Sequence, residues 1–125
     1  MAETNVKKIK WLDDVEGHDY PAAEAYLSLL YPSEKVAGII AGLKSADIVQ
    51  FKAKDIFRAS QLSLLGVSNS HVEKDKEKIQ KGNNLSPLLL LRDEQTGKVV
   101  IADGYHRKCA IYWFNEDALI HCKII

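Results

Sequence analysis

The chain has 125 residues, 46% of them hydrophobic, with 17 basic side chains against 17 acidic ones. That suits one globular domain with a real core and excludes attraction to nucleic acid or an anionic membrane by overall charge. The longest apolar run, at 87–91, is far too short to span a bilayer. No apolar run follows Lys7 and Lys8, so neither a signal peptide nor an anchor is expected. Cys109 and Cys122 make neither a disulfide framework nor a metal pair, which is the usage of a reducing compartment, so a cytoplasmic location is expected.

The first dozen residues lack periodicity and read as an arm, with Trp11 and Leu12 the first able to dock on a core. Asp19 as cap and Pro21 in the first turn predict a helix from Pro21 to Tyr31, its apolar face formed by Ala22, Ala25 and Leu29 with Tyr26 and Leu30. Pro32 and Ser33 break and restart the chain. Val36, Ile39, Ile40 and Leu43 then share one face of a second helix over 33–46, giving a helical hairpin. Over 47–56, Val49, Phe51 and Ala53 alternate with Gln50 and Lys52, the period of a half-buried strand.

A short helix or turn ended by Gly66 comes next. A charged helix over 68–82 follows, with Asn69 or Ser70 as cap, Val72 and Ile79 as anchors and Gly82 as stop. The runs 85–93 and 98–103, joined by a tight turn at Gly97, read as a β-hairpin buried on both faces. A helix over 104–114 with Cys109, Ala110 and Trp113 on one face and a strand over 118–125 complete the order α-α-β-α-α-β-β-α-β, an α+β domain. Residues 1–46 are the arm and helical hairpin and 47–125 the core, in one compact domain.

The residues Asp103, Gly104, Tyr105, His106 and Arg107 crowd a strand-to-helix junction. Unpaired amides at a helix start, with the positive end of its dipole, favour an anion. His106 and Arg107 lie beside that opening, and the arginine fork can grip two phosphate oxygens. Gly104 lets the backbone approach a ligand. Asp103 could cap the helix, hold His106 or Arg107, or bind a magnesium ion bridging phosphates. The blander alternative makes Asp103 a cap, Arg107 a partner of a surface acid, and Tyr105 and His106 packing rings. His18 and His121 stand alone and suit packing or surface roles, and no set of ligating residues has zinc spacing, so no metal site is expected. Cys109 and Cys122 suit core packing.

From "LSPLLLLRD" through "ADGYHRKCAIYWF" to "ALIHCKII", the chain resembles the ParB/sulfiredoxin superfamily. Gly104, Arg107 and Ala110 stand at its Gly-x-x-Arg-x-x-Ala helix start, and the resemblance covers 47–125. It is also similar to a bacterial subgroup with the same Asp-Gly-Tyr-His-Arg signature. The resemblance implies a small mixed sheet packed with helices and a pocket for a nucleoside triphosphate or diphosphate, with magnesium as an option. It implies phosphate binding by Gly104, Tyr105, His106 and Arg107, with Asp103 and His106 catalytic. Segments before the hairpin line the site in such folds, which adds Lys54, Arg58, His71 and Ser86 as binding candidates, with Asp55 and Asn69 beside them.

Tyr105 stands where sulfiredoxins have their cysteine, so reduction of a sulfinic acid is not expected. With no helix-turn-helix after the pocket, DNA is not an expected partner. The ParB-like nuclease label that such sequences carry finds no supporting residue set. What the resemblance implies is a nucleotide-dependent phosphotransferase or hydrolase. The alternative is a non-catalytic nucleotide sensor or interaction module whose N-terminal helices form a homodimer or partner surface.

Overall fold

The computed structural model describes residues 9–62 and 70–125. Its elements in chain order are β1 (Lys10–Trp11), α1 (Asp19–Leu27), α2 (Ser33–Ser45), β2 (Val49–Lys52), α3 (Ala53–Ser60), α4 (Ser70–Gln80), β3 (Asn84–Leu85), β4 (Leu88–Asp93), β5 (Lys98–Asp103), α5 (Tyr105–Phe114) and β6 (Leu119–Ile124). The class is α+β, as expected. Four strands make a mixed sheet in the order β2-β6-β4-β5, in which β4 and β6 run parallel and the other neighbours antiparallel. β1 and β3 form a small parallel pair that carries no periodicity in the sequence. Through it Trp11 of the arm docks against the core and stacks on His121, ring centroids 4.9 Å apart.

The sheet is a middle layer. Leu88 and Leu90 of β4 pack with Ile56, Val72, Ile79, Cys109 and Ile111 of α3, α4 and α5, whereas Leu89 and Leu91 pack with Leu27, Val36, Ile39 and Leu43 of the helical hairpin. Successive side chains of a strand point to opposite faces, so an unbroken leucine run serves two cores at once. Each wholly buried leucine, Leu27, Leu43, Leu88, Leu89 and Leu90 among them, contributes on the order of 1.5–3 kcal/mol. The hairpin is therefore one outer layer of the unit. Among the described residues no helix is long and apolar enough to cross a membrane.

Several local readings change. α1 starts two residues early and ends at Leu27, and it buries Asp19, Ala23 and Leu27, while Ala22, Ala25, Tyr26, Leu29 and Leu30 face outward. The apolar spacing points to the wrong side because the buried stripe contains an aspartate. β2 stops at Lys52 and all four of its residues are exposed at the sheet edge. Lys54 and Asp55 therefore lie on α3, which ends with Gln61 in the left-handed region; Gly66 lies outside the described residues. Trp113 of α5 faces solvent, and the buried positions there are Lys108, Cys109, Ala110 and Ile111.

α4 ends as expected. Gly82 has φ +78°, and the amides of Gly82 and Asn83 donate to the carbonyls of Ile79 and Lys78, the paired bonds of a glycine helix stop.

Candidate functional site

β5 runs into α5 through Gly104, whose φ is +103°. A Cβ there would stand 2.6 Å from Cγ of Leu88, so glycine is required both by the backbone and by the packing of β4 against the turn. Its conformational role is thus directed inward, at Leu88. Just before the turn, Leu90 pairs with Ile101 and Leu89 with Asp103, so Ala102 is an extra residue in β5. Such a bulge re-aims the strand end, and here Asp103 comes to face α5. Gly104 has no side chain to cap the helix and no side-chain cap bond is present. Lys108 donates the first helical bond, to the carbonyl of Gly104, which leaves the amides of His106 and Arg107 without helical acceptors.

Asp103 does not cap α5. Its Oδ2 accepts from Nη2 of Arg107 at 2.5 Å. Nη1 of Arg107 donates to the Ser86 carbonyl at 2.5 Å and to Oδ2 of Asp19 at 3.4 Å, and that same carboxylate oxygen accepts from the Ser86 hydroxyl at 2.6 Å. The Glu16 amide donates to the Ser86 hydroxyl. Arg107, Asp19 and Asp103 have side chains 14, 7 and 19% exposed, so this is a buried network joining α1, the start of β4 and the Gly104 turn. Burial pushes the Asp103 carboxyl above its usual range, Arg107 pulls it back, and Asp19 adds to the rise.

Two residues of the sequence reading have partners within the fold. Asp19, expected to cap α1, is a partner of Arg107. Arg107, expected to grip a phosphate, already has its guanidinium engaged by two carboxylates and a carbonyl.

The other side of the junction is open. A cleft of about 230 Å³ lies between α4 and the start of α5, lined by His71, Lys74, Asp75 and Lys78 of α4 and by residues 103–107. The rings of His71 and His106 stand 4.8 Å apart. Burial, then the neighbouring His71, lowers the pKa of His106. Asp75 is pushed up by burial, against the pull of Lys78, Arg107, His106 and His71. Lys78 reaches Asp75 only loosely, at 3.9 Å, and Lys74 is exposed and makes no ion pair among the described residues. A second cavity, of about 140 Å³, adjoins the cleft through Asp75, Lys78 and Arg107 and is lined beyond them by Glu16, His18, Asp19, Asn84, Leu85 and Ser86.

No family model, curated protein or solved structure matches this chain. The site therefore rests on its own geometry.

The structure brings together Asp103, Gly104, Tyr105, His106, Arg107 and His71 at the cleft, and Ser86 at the adjoining cavity. It does not bring Lys54 or Arg58. Lys54 is drawn to Asp117 at 2.7 Å, its amide donating to Glu116, and Arg58 is exposed near the end of α3. Neither lines the cleft or the adjoining cavity. Asp55 lines a separate apolar groove, and Asn69 lies outside the described residues.

Lys74, Lys78 and Asp75 were missed. Their i, i+1 and i+4 spacing on a highly charged helix looks like a solvated face, and only the tertiary approach of α4 to α5 turns that face toward a cleft. Among the described residues no group of three or more His, Cys, Asp or Glu could hold a metal. Of the three roles open to Asp103, the structure shows that it holds Arg107. Both cysteines are buried, and burial drives the Cys122 thiol up to about 12, which makes it inert.

Proposed function

We propose that this chain binds a phosphate-bearing ligand of the nucleoside di- or triphosphate class, with its phosphates in the cleft between α4 and the start of α5. The observation that carries the reading is the convergence there of Lys74, Lys78, His71 and His106 on two helix-start amides without helical acceptors. Lysine ammoniums and free helix amides are complementary to phosphate oxygens. Arg107 serves by holding the turn in shape. The order of strand hairpin, glycine turn, helix and final strand supports placing the core in the ParB/sulfiredoxin superfamily.

For phosphoryl transfer or hydrolysis, His106 is the side chain placed to move a proton. Its lowered pKa keeps it neutral near pH 7, as a general base requires. Asp103 has its carboxylate bonded to Arg107 and acts as a positioning residue. A sensor reading is favoured by one observation: Arg107 lines both cavities and also anchors α1, so ligand occupancy has a direct route to the helical hairpin.

Thermal denaturation with and without ATP, GTP and CTP tests the binding. A ligand at one hundred times its dissociation constant stabilises by about 2.7 kcal/mol. Absence of any shift at millimolar concentrations overturns the proposal. Phosphate release that disappears in His106→Ala, with binding retained, assigns catalysis; release equal to buffer alone in both proteins assigns a sensor.

A further inference from the structure

On the far side of the Gly104 turn from the lysines lies a larger bay of about 470 Å³. Its walls are mostly apolar: Ala22 and Tyr26 of α1, Leu62, and Ile101 and Ala102 of β5. It shares Asp103, Gly104, Tyr105 and His106 with the polar cleft. One strip of chain is thus the common wall of a cationic half and an apolar, tyrosine-bearing half. Small-molecule sites typically enclose about 300–1,000 Å³ and combine apolar walls with a few polar groups. The cleft falls below that range and the bay within it.

The geometry points to the bay as the seat of a planar heteroaromatic ring, the base of a nucleotide whose phosphates occupy the polar cleft; this rests on the function proposed above. Three features select such an occupant. A cationic cleft and an apolar bay that share the strip from Asp103 to His106 suit a ligand that is anionic at one end and apolar at the other. Tyr26, on the exposed side of α1, supplies aromatic surface where a flat ring can stack. β5 forms the sheet edge, paired on one side with β4, and the bulge at Ala102 interrupts even that pairing. An edge strand presents backbone donors and acceptors, which match the hydrogen-bonding rim of a base. The exposed apolar side of α1, which leaves Ala22 and Tyr26 facing outward, then acquires a purpose.

Calorimetric titration with ATP, GTP and CTP, each against inorganic tripolyphosphate, tests this on the wild type and on Ala22→Phe, which fills the bay from an exposed position. Stacking a base on an aromatic side chain is worth enough that at least one nucleotide should bind about tenfold more tightly than tripolyphosphate. Ala22→Phe should abolish that preference and leave tripolyphosphate affinity unchanged. Equal affinity of nucleotides and tripolyphosphate in the wild type, with Ala22→Phe indifferent to both, overturns the ring site and leaves the phosphate cleft standing. Failure of both ligand types to bind overturns the cleft itself. Should Ala22→Phe not fold, the wild-type preference and its loss in Tyr26→Ala decide the matter, as does saturation transfer from protein to base protons, which a phosphate-only mode would not produce.

Discussion

On one side of the Gly104 turn, Arg107 is enclosed by Asp19, Asp103 and the Ser86 carbonyl. On the other, Lys74 and Lys78 stand at the rim of an open cleft beside His71 and His106. Both regions are rich in charge. In the first, cation and anions satisfy one another under cover, so the network fixes structure; in the second, Lys78 reaches Asp75 only at 3.9 Å and Lys74 makes no ion pair among the described residues, which leaves the cations room for a further partner. The residue most conspicuous in the sequence motif therefore holds the turn together, and under the proposed function a helix that looks like a solvated surface supplies the binding charge.

Breaking the closed side should have the largest effect. Arg107→Ala leaves two buried carboxylates without their cation, and loss of one member of such a pair typically costs about 3–5 kcal/mol. Urea denaturation should show a fall of that size, partly restored by adding Asp19→Asn. A loss under about 1 kcal/mol would mean that the network does not support the fold. It follows that Arg107→Ala is a poor probe of ligand binding alone.

Gly104→Ala forces a Cβ onto Leu88 at positive φ, with an expected cost of about 1–3 kcal/mol. Near-neutral stability would show that the turn relaxes freely.

The open side should respond the other way round. Lys74→Ala and Lys78→Ala should each change stability by no more than about 0.5 kcal/mol. Each should weaken nucleotide binding by about ten- to a hundredfold, as expected for a charge-assisted hydrogen bond worth about 1.5–3 kcal/mol. A stability loss as large as that of Arg107→Ala would erase the distinction between the two sides.

The smallest effect belongs to His106. Its pKa in the folded chain lies below the ordinary value of 6.5. As pH falls through 6.5 the unfolded chain therefore takes up the proton first and the fold loses stability, until the folded-state pKa is passed. His106→Asn should flatten this acid-side decline and leave stability above pH 7 nearly unchanged. A steeper decline in the variant would contradict the burial effect assigned here.

Much of the architecture is legible in the sequence because its signals are local. The face of α2 defined by Val36, Ile39, Ile40 and Leu43, the leucine run of β4 and the Gly82 stop each follow from spacing alone. Where a tertiary partner decides, the pattern misleads. α1 buries Asp19 because Arg107, 88 residues away, receives it, and no hydrophobic period can announce a buried aspartate. β3 and β1 pair over only two residues each, too few for any period. For the site, the junction from Asp103 to Arg107 was visible as a cluster of unlike polar groups. The approach of α4, which adds Lys74 and Lys78, depends on long-range packing of Val72 and Ile79 into the core beneath the sheet.

The most direct test of the account follows backbone amide resonances while ATP, GTP or CTP is titrated into the protein. The largest shifts are predicted at Gly104, His106 and Arg107 and along 74–78 of α4, with Lys54 and Arg58 unmoved. Shifts centred instead on the groove formed by Phe51, Ile56 and Leu90, or no shifts with any of the three nucleotides, would contradict it.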